Sequence, residues 1–277
     1  MTSATLEPTR PTTTPHRPTT QGASLVRTLR DTWLIYRRSL RLTLRQPVWV
    51  AMGIFQPILY LVLFGPLLEG ATGATGATAN AYNWFIPGLL VQTAMFAAAF
   101  AGFGLVAELR YGVVERMRVT PMSRFAMLAG RSLRDVTIML VQATLMILIA
   151  IPFGLDLVPF GALTTLGLLA LVALAFSLLS YTLALVVKTE DALAPIVQGV
   201  ALPLLLLSGI LLPMTLGPTW LIRASDFMPT RWVVDAVRGS FDGTFASSAM
   251  LWGIAWTLVL FTGALWWGTS TFRKENA

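Results

Sequence analysis

The chain has 277 residues, 55% hydrophobic and 12% charged, with a formal net charge of +7 and no cysteine. An average soluble domain is about 25% charged, so an ordinary soluble enzyme is excluded, as are disulfides and thiolate metal sites. The single histidine, His16, lies in a Thr/Pro-rich tail, and the basic residues sit in blocks beside apolar stretches, a pattern that points to a lipid bilayer as partner and not to nucleic acid.

Residues 1–24 are rich in Thr and Pro and lack an apolar core, so they read as a disordered cytoplasmic tail and not as a secretory signal. From Leu25 to Arg45 the pattern becomes helical. At about 100° per residue, Arg27, Arg30, Arg37, Arg38, Arg41 and Arg45 gather on one arc and Leu25, Leu29, Trp33, Tyr36, Leu40 and Leu44 on the next. That distribution predicts a helix lying in the membrane interface; the alternative is a basic helix that merely flanks a span.

Six long stretches without charge follow: Gln46 to Leu68, Ala81 to Ala107, Val136 to Leu155, Leu157 to Val187, Ala192 to Ile222 and Gly243 to Phe272. About 20 apolar residues at about 1.5 Å rise cross a hydrocarbon core, and each stretch reaches that length. A soluble fold would need six core helices too long for one domain of this size. Lys and Arg divide 17 to 3 between the two sides of these spans, which places both termini in the cytoplasm and requires an even number of crossings.

Pro57, beside Gln56, predicts a kink in the first span. The link Glu69 to Asn80 repeats Gly-Ala-Thr, a composition suited to a flexible outer loop. Ala94, Ala98 and Gly102 recur four apart in the second span, where small residues let helices approach closely in lipid. The link Glu108 to Asp135 is strongly charged but also places Tyr111, Val114 and Met117 at helical spacing before Pro121, with Ser123 a candidate cap for the next helix. A solvated loop accounts for the Arg residues. It leaves the three apolar ones unexplained, and these suit docking onto a soluble partner.

Between the fifth and sixth spans, Pro213 to Gly243 is too long for a tight turn. After Pro229, Trp232, Val233, Ala236 and Val237 share a helical side, and Arg231, Asp235 and Arg238 can pair at i,i+4 and i,i+3. Two short outer helices are predicted, either re-entrant into the outer leaflet or lying flat on the surface. The architecture expected is thus an all-α integral membrane protein with six transmembrane helices, an N-terminal interfacial amphipathic helix and short outer helices between spans five and six.

Two motifs carry a resemblance. Glu115-Arg116-Met117-Arg118-Val119-Thr120-Pro121-Met122-Ser123-Arg124 resembles the cytoplasmic motif of type-2 ABC exporter permeases. Leu202-Pro203-Leu204-Leu205-Leu206-Leu207-Ser208-Gly209-Ile210-Leu211-Leu212-Pro213, followed by Met228-Pro229-Thr230-Arg231-Trp232-Val233-Val234-Asp235-Ala236-Val237-Arg238-Gly239, resembles that family's fifth span and outer segment. The daunorubicin-resistance type of permease is the most similar. The resemblance covers about residues 25–273, the permease domain, leaving the two cytoplasmic tails 1–24 and 274–277; Arg118 departs from the more hydrophobic residue frequent in the family.

The resemblance implies that about Leu109 to Pro121 forms a coupling helix seated on a cytoplasmic ABC ATPase, with Tyr111, Val114, Glu115, Arg116, Met117, Arg118 and Pro121 at the contact. It also implies a second permease copy, as homodimer or heterodimer, and re-entrant outer helices carrying Pro229, Arg231, Trp232, Asp235 and Arg238. A P-loop needs Gly before its Lys and Ser or Thr after it. The only lysines are Lys188, after Val187, and Lys274, before Glu275, so ATP and Mg²⁺ belong to the partner ATPase and this chain needs no cofactor.

Polar groups within the spans are Gln56, Tyr60, Gln92, Thr93, Gln142, Gln198 and Ser208, which either line a translocation path or bond helix to helix. An uncharged, aromatic-bearing path fits an amphiphilic drug or antibiotic; lipid and polysaccharide are the alternatives. A proton-driven secondary transporter would place Asp, Glu or His within the spans, whereas Glu69, Glu108, Asp135 and Asp156 sit at their ends. Sodium coupling through carbonyls and hydroxyls stays open. An intramembrane enzyme would need a nucleophile with a base; Ser177, Ser180 and Thr182 have none nearby in sequence and read as packing residues.

Overall fold

The computed structural model describes residues 25–75, 81–112, 124–156, 158–210, 214, 217–245 and 247–274. Among these the fold is helical, with no strands. The helices are α1 (Leu25–Leu44), α2 (Pro47–Thr75), α3 (Ala81–Ala99), α4 (Ala101–Arg110), α5 (Arg124–Ala150), α6 (Pro159–Val187), α7 (Glu190–Leu207), α8 (Thr219–Asp226), α9 (Pro229–Phe241) and α10 (Ser248–Lys274). Six helical stretches are long and apolar enough to cross a membrane: one each in α2, α5, α6, α7 and α10, and one formed by α3 and α4 together.

The arrangement is a bundle around α6, which is apolar on all sides, as a helix without a solvent face must be. It packs against α10, α5, α3, α4 and α9. One buried cluster, with Phe85, Leu89, Met139, Leu169, Val234 and Phe241, lies toward one end of the bundle; a second, with Leu105, Met127, Tyr181, Leu185 and Ala264, lies toward the other. The first end carries the α5–α6 and α9–α10 connections. There the Asp156 amide donates to Asn83 Oδ1 at 3.0 Å, and the rings of Phe160 and Phe245 meet edge-on at 4.8 Å. The second end carries α1 and the close of α10, where a Cβ on Gly268 would come within 3.0 Å of Thr182 Oγ1. These are called here the loop end and the terminal end.

α1 lies on the first half of α5. Gly130 permits the approach, because a Cβ there would stand 2.7 Å from the Thr32 carbonyl oxygen. Ile35 is buried in this contact and Tyr36 Oη is 3.2 Å from Thr137 Oγ1. Apart from Tyr36, much of the apolar arc expected from the sequence points elsewhere: Leu25, Leu29 and Leu44 are 82%, 68% and 66% exposed. An amphipathic helix that leaves such a face open suits a bilayer surface better than water.

The helices depart from the uncharged stretches in four places. α2 runs through Thr75, so part of the Gly-Ala-Thr link continues the helix; residues 76–80 lie outside the described set. The second span is broken at Phe100 into α3 and α4. Ser180 of α6 fills the break: its hydroxyl donates to the Ala99 carbonyl and accepts the Gly102 N–H at 2.9 Å. A Cβ on Gly102 would lie 2.6 Å from the Ser180 carbonyl oxygen, which is what the small residue at that position permits. α5 begins at Arg124, directly after the expected cap Ser123 and well before the uncharged stretch at Val136, so Arg131, Arg134 and Asp135 lie inside a helix instead of at a solvated span end. The fifth span closes at Leu207, followed by Gly209 at φ 71°, and Ile222 belongs to α8.

Candidate functional site

A cleft of about 470 Å³ opens between α2, the α3–α4 pair and α5, reaching Thr43 near the end of α1. Its walls combine Met52, Pro57, Phe96, Phe100 and Ile138 with the uncharged polar groups Gln56, Gln92, Thr93 and Gln142. Gly53 lets α5 come close to α2, and Gln142 Nε2 donates to the Val50 carbonyl at 3.1 Å. That bond fixes the amide, since a flipped group would set oxygen against oxygen. Among the described residues Gln142 Oε1 then has no partner, and neither has Gln92 Oε1; the two residues are only 3% and 4% exposed. Gln56 Nε2 donates to Tyr60 Oη at 3.1 Å, one turn along α2, and Thr93 Oγ1 donates to the Leu89 carbonyl at 2.8 Å.

The terminal end of the cleft is closed by Arg134 and Asp135. Arg134 pairs with Asp135 at 2.6 Å and donates to Thr43 Oγ1 at 3.2 Å and to Tyr181 Oη at 3.1 Å; the Tyr181 hydroxyl in turn donates to Asp135. One turn earlier, Arg131 pairs with Glu108 of α4. Together these bonds tie α1, α4, α5 and α6 at one level. Each charge has an opposite partner, the condition under which ionised groups are tolerated at membrane depth.

At the loop end, α9 is inserted among α3, α6 and α10, with Val233, Val234, Ala236 and Val237 buried. A Cβ on Gly161 of α6 would reach 2.0 Å from the Ser240 carbonyl oxygen, so only glycine allows the contact. Arg238 stacks over Trp84 at 4.1 Å, and donates to the carbonyls of Trp84 at 3.2 Å and Gly209 at 2.9 Å, joining α9 to α3 and to the end of α7. Asp235 lies 3.4 Å from Arg238 and 3.8 Å from Arg231; burial pushes its carboxyl above the usual range while both guanidiniums oppose that rise. Arg231 pairs with Asp226, and Trp232 Nε1 donates to the Asp226 carbonyl at 2.9 Å, so α8 is held to α9 by its C-terminus. Pro229 occupies the first turn of α9, where its missing N–H costs nothing.

The family model of the ABC-2 type transporter matches residues 30–241. The chain belongs to the ABC-2 type transporter family. It is 30% identical over 197 residues to the transport permease ycf38 of Cyanophora paradoxa, covering 70% of this chain and 68% of that one. It is 26% identical over 220 residues to the daunorubicin resistance ABC transporter permease protein DrrB1 of Streptomyces coeruleorubidus, covering 78% and 75%. It is also 24% identical over 185 residues to the multidrug ABC transporter permease YbhR of Escherichia coli (strain K12), covering 65% of this chain and 50% of that one. The chain is therefore a multi-pass membrane permease of an ABC transporter. Such a subunit is not itself catalytic, and the family works in general with an ABC ATPase.

Of the residues predicted to meet that ATPase, Tyr111 is described: it follows α4 and is 77% exposed. Val114, Glu115, Arg116, Met117, Arg118 and Pro121 lie outside the described residues. Of the predicted path residues, the fold of this ABC-2 permease brings Gln56, Gln92 and Gln142 to one cleft, with Tyr60 bonded to Gln56. It does not bring Gln198, which is exposed on α7, or Ser208, which is buried and donates to the Leu205 carbonyl at 2.7 Å. Arg134, Asp135 and Tyr181 were missed by sequence reasoning. The signal available was the run Phe125-Ala126-Met127-Leu128-Ala129-Gly130 ahead of Arg131, which marks a helix already under way.

Proposed function

We propose that this permease is the membrane subunit of an ATP-driven exporter that carries an amphiphilic drug or antibiotic outward across a bacterial inner membrane. The observation that carries this reading is the cleft, with amide and aromatic walls at membrane depth, in a chain whose relatives include permeases named for daunorubicin resistance and for multidrug transport. Both termini are cytoplasmic, as the 17 to 3 division of Lys and Arg favours. α1 rests its open apolar arc on the inner leaflet.

Two permease copies work with two ATPase subunits, which bind ATP and Mg²⁺ and drive the change of access. Force enters through about Leu109 to Pro121, with Tyr111, Val114, Glu115, Arg116, Met117 and Arg118 at the contact, and reaches the bundle through α4 and its ion pair to Arg131. Gln56, Tyr60, Gln92 and Gln142 line the inner part of the path. Gln198 joins it only if a second copy faces the exposed side of α7. The cap itself is held by Arg231, Trp232, Asp235 and Arg238.

The test is co-purification with a neighbouring P-loop ATPase and reconstitution into vesicles. Amphiphilic drugs should stimulate ATP hydrolysis more than lipid or polysaccharide cargo. Glu115→Ala and Arg116→Ala should insert normally yet lose about ten-fold or more of the cargo-stimulated rate, each step of ten being about 1.4 kcal/mol of coupling. Uphill transport by the permease alone, collapsing with an ion gradient, would overturn the reading.

A further inference from the structure

We infer that the basic face of α1 is a binding site for the head of an anionic phospholipid, with Arg37 and Arg41 as the principal phosphate ligands. The inference rests on the exporter reading's placement of α1 in the membrane interface and adds to it a choice of lipid. A shallow niche of about 350 Å³ opens on this face, walled by Leu34, Arg37, Arg38, Arg41, Leu42 and Arg45. All four arginines are exposed, and among the described residues no carboxylate lines the niche. Arg37, Arg41 and Arg45 form no ion pair with any described residue.

The direction of this face decides its occupant. At about 100° per residue, the four arginines centre roughly 160° from the side of α1 that rests on α5 through Thr32, Ile35 and Tyr36. The open apolar arc of Leu25, Leu29, Trp33 and Leu44 lies between the two, so when that arc enters the acyl boundary the basic face turns away from the bundle, toward the surrounding lipid heads. Arg37 and Arg41 are the two nearest that arc, one turn apart and about 6 Å along the axis. A planar guanidinium meets two phosphate oxygens at once, and two such forks a turn apart can share one head. Leu34 and Leu42, each 49% exposed, give the niche apolar patches that glycerol and the first methylenes of a lipid would cover and that water would not.

Other segments of this chain bring no acidic cover: residues 1–24 carry Glu7 against Arg10 and Arg17, and residues 113–123 carry Glu115 against Arg116 and Arg118. A niche walled by four guanidiniums attracts a phosphate, and with no carboxylate among its described lining it has nothing to receive the cation of choline or ethanolamine. A net-anionic head, such as that of phosphatidylglycerol, is therefore chosen over a zwitterionic one.

The full-length permease, purified in detergent, is titrated with phosphatidylglycerol and with phosphatidylcholine of identical acyl chains, and retained lipid is counted by native mass spectrometry. Phosphatidylglycerol should bind about ten-fold tighter or more. Replacing both Arg37→Gln and Arg41→Gln should lower its affinity about ten-fold and change that of phosphatidylcholine by less than about two-fold. Replacing Arg27→Gln and Arg30→Gln removes the same charge from the same helix outside the niche and should leave the preference intact. If the first pair does not purify, Arg41→Gln alone decides the matter, with a loss of about three-fold or more.

Equal affinity for the two heads, or an equal loss in both pairs of variants, overturns the inference in favour of diffuse surface charge. Displacement of phosphatidylglycerol by inorganic phosphate assigns the niche to a free anion and overturns it too. So does loss of a co-purifying ATPase in the Arg37→Gln, Arg41→Gln variant with lipid binding unchanged, which would make the face a protein contact. Lipid choice is read on the permease alone, so anionic selectivity without ATP-driven transport would sink the exporter reading and spare this one; transport with equal binding of both heads would do the reverse.

Discussion

Tyr181 carries one phenolic oxygen that serves two charges, accepting from Arg134 and donating to Asp135. Removing it leaves the direct Arg134–Asp135 pair in place but strips one bond from each member. We expect Tyr181→Phe to destabilise the permease by about 1–3 kcal/mol, the cost of leaving buried charged groups short of a partner, read as a lower midpoint of thermal unfolding in detergent. Asp135→Ala should cost more, because it leaves Arg134 without its counter-charge. A Tyr181→Phe midpoint equal to that of the parent would show that the network does not hold this end of the bundle. Ser123 marked the start of α5 in the sequence, whereas the partners of the charges inside that helix were not legible. Charged side chains end an apolar run on paper, whereas in the fold Glu108 of α4 and Tyr181 of α6 supply partners from other helices, and pairing lets the span include them.

The helices themselves were legible because hydrocarbon thickness imposes a length, and a length without charge can be counted along the chain. The amphipathic α1 and the short outer helices were legible from periodicity and from Pro229. The break at Phe100 was not: Ser180, which takes up the Gly102 N–H, is 78 residues beyond Gly102, and nothing local announces it. Docking of α1 was equally hidden, since Gly130 looks like any other small residue until Thr32 is placed against it. Gly130→Val should push α1 off α5. Amide hydrogen exchange across residues 25–44 should rise several-fold while α5 and α6 keep their protection. Unchanged protection of α1 would mean that its apolar arc, resting on the bilayer, holds it without the protein contact.

Across the whole molecule, the cleft shows what a sequence can and cannot give. Gln56, Gln92, Gln142 and Gln198 look alike as amides in apolar stretches, but three converge and the fourth faces outward, because convergence depends on which helices become neighbours. Topology is more accessible, and the absence of cysteine makes it testable without background labelling. Single substitutions Gly70→Cys and Lys188→Cys lie at opposite ends of the bundle. In intact cells a membrane-impermeant maleimide should label the Gly70→Cys variant at once and the Lys188→Cys variant only after permeabilisation. The reverse order would invert the orientation and with it the direction assigned to export.

The broken span has a further consequence. Hydrocarbon offers no water to a peptide group that has lost its helical partner, so a bend in most membrane helices is resisted by bonds that must be given up. Here a hydroxyl from α6 already clasps both sides of the gap between Ala99 and Gly102. Those two bonds keep the Ala99 carbonyl and the Gly102 N–H satisfied across the gap, so the span holds its interruption without exposing either group to lipid.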